Sequence, residues 1–78
     1  MNVDKYYLIF EGYYNSLKRT DSIKSEHLKK YLVNLQKSIN SNSIDVRNNV
    51  LLLQAFLEGF GDTYLLMLLR DITQELNL

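Results

Sequence analysis

A chain of 78 residues, with no Cys, no Pro, one His and nine bases balanced by nine acids, is one domain at most. That composition excludes disulfides, thiolate chemistry and zinc sites built on cysteine or on a histidine cluster. Zero net charge excludes a surface that is cationic all round.

The first segment, residues 3–19 (VDKYYLIFEGYYNSLKR), supports two readings. Tyr6, Phe10, Tyr13 and Leu17 recur at helical spacing, whereas YYLIF has the aromatic and β-branched content of a strand. No second strand-like run exists to pair with it, so a helix is expected. A strand over residues 4–14 would need a second copy to supply its partner edge.

The second segment is helical by the spacing of Leu28, Leu32, Leu35 and Ile39, with Tyr31 beside them. Asp21 and Ser22 precede it, and both residue types accept hydrogen bonds from the orphan N–H groups of a helix start. After the polar break INSNS, the third segment places Val46, Val50, Leu53, Leu57 and Phe60 on one stripe, with Ser43 as its expected cap. Leu65, Leu68, Leu69, Ile72 and Leu76 form the stripe of the fourth segment.

Between the last two segments lies EGFGD, holding two of the three glycines in the chain. The expectation is a helical hairpin in which Gly61 takes the left-handed conformation and Asp62 or Thr63 caps the following helix. The rival is one continuous helix through the glycines in a swapped dimer. Glu58 and Asp62 would repel phosphate, which argues against a phosphate cradle. The alternating acids of a calcium loop are missing. Gly12 and Gly59 offer places where a second backbone could approach closely.

Residues 50–69 have the length of a membrane span. Their apolar side chains contribute about −5 to −6 kcal/mol on insertion scales, and Glu58 and Asp62 cost about 2.5–3.5 kcal/mol each near the centre. The balance favours a buried hairpin over a span. The acid pairs Glu58/Asp62 and Asp71/Glu75 read as solvated helix acids, since no histidine is placed to complete a carboxylate metal site. Ser22, Ser25, Glu26 and His27 are close in sequence, but adjacency is not triad geometry. The start of the chain lacks the features of a secretory signal, giving the expectation of a cytoplasmic protein.

Charge is unevenly divided. Residues 1–39 carry seven bases against four acids, and residues 40–78 carry two bases against five acids. A basic half joined to an acidic half suits self-docking or a partner of mixed charge. The third segment also carries Leu51, Leu52, Ala55 and Phe56 outside its stripe, and the fourth carries Tyr64, Leu66 and Met67. Helices apolar on several sides are normally buried, and a chain this small leaves part of that surface for a partner.

Taken together, the residues predict an all-α bundle of three or four helices, a single helical domain over 1–78 whose third and fourth helices form a hairpin. The expected function is a small non-enzymatic protein-binding module, such as an inhibitor, adaptor or regulator, working as a homodimer. Its expected contact residues are Leu52, Phe56, Tyr64, Leu66 and Met67, with no cofactor, metal or membrane involved. The alternative is a nucleic-acid-binding regulator that uses Lys24, Lys29, Lys30, Lys37 and Arg47. Its weakness is a third helix with only Arg47, Asn48 and Asn49 as base readers.

Overall fold

In the computed structural model, which describes residues 4–77, four helices follow one another: α1 (Asp4–Leu17), α2 (Ser22–Asn40), α3 (Val46–Phe60) and α4 (Thr63–Glu75). Each packs on its chain neighbour, and α4 closes the ring against α1 along its thinnest seam. Contacts between α2 and α3 fix their antiparallel register. Lys24 meets Phe60, Tyr31 meets Phe56, and Asn34 meets Asn49.

The first segment is a helix. With no strand among the described residues, YYLIF has no edge to pair with, and burial at helical spacing overrides its β-like composition. Its inward face differs from the expected one. Tyr7 and Phe10 are buried, with Tyr14 and Leu17 packed beside them, while Tyr13 is turned out.

The stripe of α2 goes inward as expected at Leu28, Leu32 and Leu35, and two serines join it. Ser25 Oγ donates to the Tyr14 carbonyl at 2.6 Å and Ser38 Oγ donates to the Leu35 carbonyl at 2.8 Å, so neither hydroxyl is buried without a partner. In α3 the buried stripe is Val50, Leu53 and Leu57, whereas Phe60 lies half in solvent at the helix end. Leu65, Leu68, Leu69 and Ile72 are all buried. One apolar cluster therefore draws on all four helices.

Caps follow the sequence in part. Asp21 Oδ1 accepts from Lys24 N at 3.0 Å, the expected cap of α2. Ser43 does not cap α3: its hydroxyl accepts from Asp45 N at 3.0 Å within the turn, and Asp45 holds the N-cap position without a side-chain bond. Asp62 precedes α4, but its carboxylate is drawn away to Lys24 Nζ at 2.9 Å.

Helices α2 and α3 end in the same way. Asn42 N donates to Ile39 O and Ser43 N to Ser38 O; Gly61 N donates to Glu58 O and Asp62 N to Leu57 O. This pair of bonds needs a left-handed residue after the helix, supplied by Asn42 at φ 53° and Gly61 at φ 69°. The hairpin is thereby established and the continuous helix overturned. A Cβ on Gly61 would meet nothing within 4 Å, so the cost of replacing it is backbone strain alone. Gly61→Ala is expected to destabilise by about 1–2 kcal/mol, and Gly61→Asn by less, since Asn already occupies the equivalent place after α2. Gly12→Ala, in a helix interior with open space around it, should instead stabilise by about 0.5–1 kcal/mol. Urea midpoints at unchanged m-value check both signs.

Candidate interaction surfaces

The ring of helices sorts the apolar residues outside the stripes by direction. Side chains that flank a stripe meet a neighbouring helix, while those opposite it face water. Phe56 flanks, and its ring packs at 5.2 Å from Tyr31 and 5.0 Å from Phe60, with the edge of His27 at 6.1 Å. Leu66 flanks on the other side. It is half-buried in a cleft of about 340 Å³ between α3 and α4, lined also by Gln54, Glu58, Leu69, Arg70 and Thr73. Both residues serve seams, Phe56 that of α2/α3 and Leu66 that of α3/α4, and both are half-buried rather than fully exposed.

Leu52, Tyr64 and Met67 do face outward, and they divide between two places. Tyr64 lies against Tyr13 of α1 with ring centroids 5.5 Å apart. Ile9, four residues before Tyr13, and Met67, three after Tyr64, are exposed on the same sides of their helices. These four side chains form an aromatic and aliphatic face over the α1/α4 seam, bordered by Asp71 and Glu75 at helical spacing from Tyr64. Leu52 belongs to another face, the outer side of α3, where it is 46% exposed and Leu51 beside it 55%.

The five basic residues are not gathered on one face. Lys24 is pulled toward the α3–α4 turn, where its ammonium sits 2.9 Å from Asp62 Oδ2 and 4.7 Å from the centre of the Phe60 ring, with side-chain exposures of 14% for Lys24 and 24% for Asp62. Such a partly buried pair tethers the start of α2 to the hairpin. Lys29 leans toward α1, sharing the Tyr14 ring with Lys18, each ammonium 5.9 Å from its centre. Lys30 and Lys37 remain on the outer side of α2 beside Glu26, and Arg47 stands at the start of α3. Of the other base readers, Asn49 uses its side chain as a donor to the Asn34 carbonyl.

The serines and histidine of α2 are likewise separated. Ser25 is buried against Tyr14, and His27, two residues on, meets Phe56 of α3 across the α2/α3 seam. In the α3/α4 cleft, Gln54 Nε2 donates to Glu58 Oε1 at 2.8 Å and the Thr73 hydroxyl donates to its own helix at Arg70 O. Among the described residues, no three metal-ligating side chains come together and no helix is long and apolar enough to cross a membrane.

Sequence reasoning missed Ile9 and Tyr13. Their contribution depends on which way α1 is rotated, and only the contact with Tyr64 reveals that. No family model, curated protein or solved structure matches the chain.

Proposed function

We propose that the chain is a small non-enzymatic protein-binding module, a regulator, inhibitor or adaptor, that works as a homodimer. The observation that supports this reading is the Ile9–Tyr13–Tyr64–Met67 face over the α1/α4 seam. Tyrosine and methionine are residue types that interface centres favour, tyrosine for large contact area on a stiff side chain and methionine for its ability to adapt to the facing surface. Binding would desolvate Tyr64 and Met67 at the centre, with Asp71 and Glu75 on the rim setting orientation and on-rate. A protein partner with a complementary apolar surface and bases around it fits this layout. The charge division supports the reading from another side: Lys24 is paired with Asp62, and Lys29 and Lys30 share one surface groove with the acidic Glu26.

The test is affinity capture from source cells, with Met67→Lys as the matched control. Met67 is 63% exposed, so this variant keeps its helical circular dichroism. A protein recovered with the parent and lost with the variant is the expected result. The same set recovered with both removes the α1/α4 face from the reading. Submicromolar, sequence-dependent DNA or RNA binding at physiological salt would replace the reading with the nucleic-acid one. It should then fall with salt at a log–log slope of about −0.9 per duplex phosphate neutralised, and be lost in Lys29→Glu/Lys30→Glu.

A further inference from the structure

The outer side of α3 is apolar where nothing in the chain covers it, and its charges are arranged about a centre. Asn48, Leu52, Ala55 and Gly59 recur at steps of four, three and four, opposite the buried stripe of Val50, Leu53 and Leu57. Leu51 widens the strip. No charged residue falls within it. Arg47 flanks it toward the N-terminal end and Glu58, which also accepts from Gln54 Nε2, flanks it toward the C-terminal end, eleven positions or about three turns apart and therefore on the same side of the helix. Among the described residues, neither forms an ion pair. Gly59 has open space where a Cβ would lie, so nothing within the chain requires glycine there.

We infer that this face is the contact between two copies of the chain, with α3 packed antiparallel on α3 of the second copy about a twofold axis between Leu52 and Ala55. An isologous contact must be complementary to itself, and this face satisfies that on two counts. In shape, the axis sets each Leu52 over the Ala55 of the other copy and each Asn48 over the other Gly59, large against small at every step. In charge, it brings each Arg47 within about 3 Å of axial register with the other Glu58, a gap that the guanidinium stem spans. The outer side of α2 differs in carrying charge within the strip itself, at Lys30 and Lys37. Since the contact is a single helix pair, it belongs to the small end of specific interfaces, with dissociation on the order of tens of micromolar.

The inference rests on the homodimer reading and adds the face and the polarity. Sedimentation equilibrium of the full chain tests both. The parent should be a dimer at about 100 µM, a few times the expected dissociation constant, and Leu52→Lys a monomer with unchanged helical circular dichroism. Arg47→Glu sets like charges together at both ends and should weaken dimerisation by about tenfold, as should Glu58→Arg. Arg47→Glu/Glu58→Arg restores the attraction in reverse and should return the dissociation constant to about the parent value. A monomeric parent would remove the homodimer reading itself. A dimeric parent whose Leu52→Lys variant also dimerises would overturn only the α3 face. Single charge reversals without effect, or no recovery in the double variant, would overturn the antiparallel register.

Discussion

Phe10→Ala is expected to destabilise the bundle by about 3–5 kcal/mol, the cost of deleting a fully buried aromatic side chain. Phe10 is among the largest of the completely enclosed side chains, and the cluster it joins draws on every helix. A domain of this length has roughly 4–12 kcal/mol of stability to lose, so the substitution removes a large share of it. Tyr13→Ala, on the same helix, should cost only about 1 kcal/mol, since that ring is half in solvent and its main contact is the stacked pair with Tyr64. Urea midpoints would compare the two. If Phe10→Ala fails to fold, Phe10→Leu, expected to cost roughly 1–1.5 kcal/mol, keeps the comparison open. Equal losses at Phe10 and Tyr13 would mean that α1 is rotated from the orientation described.

The rotation of α1 was the part of the fold hardest to read from residues alone. Two stripes compete there, Tyr6–Phe10–Tyr13–Leu17 and Tyr7–Phe10–Tyr14–Leu17, and they share Phe10 and Leu17. Tyrosine suits either a core or a surface, so composition does not separate them. In α2 the stripe is aliphatic against polar neighbours, and in α3 and α4 it is mainly aliphatic at clear helical spacing, so burial follows all three with few departures. Caps show a related limit. Asp62 has the right residue type and position, but its carboxylate finds Lys24 from the start of α2, a partner no local window contains. The expected contact surface divided for a geometric reason. Leu52, Phe56, Leu66 and Met67 all lie off their stripes, yet in a ring of four helices only the side opposite the stripe stays open. Phe56 and Leu66 sit at the flanks, where α2 covers one and α3 covers the other.

Above pH 10, stability should fall through Tyr7, and Tyr7→Phe should remove that part of the fall. The Tyr7 side chain is 3% exposed, and its hydroxyl has no hydrogen-bond partner among the described residues. Burial, helped by the Asp4 carboxylate, pushes its pKa from 10.0 up to about 12. The unfolded chain therefore releases this proton near pH 10 while the folded chain still holds it. Stability contributed by the neutral phenol is complete below pH 10 and is lost as the pH rises toward 12. At pH 11 the loss is on the order of 1 kcal/mol, and by pH 12 and above it approaches about 2–3 kcal/mol. Phe fills the same space and cannot ionise. Near pH 7 it also relieves an unpaired buried hydroxyl, so the variant should match the parent or exceed it by about 1 kcal/mol. Whatever else changes with pH is common to both proteins and cancels in the difference. The quantity to measure is the stability of Tyr7→Phe minus that of the parent, from urea unfolding at pH 7 and at pH 11. It should grow by on the order of 1 kcal/mol between the two. A difference that stays constant would show that the Tyr7 hydroxyl reaches water or an acceptor, and a variant much weaker than the parent at pH 7 would show that it has found a partner.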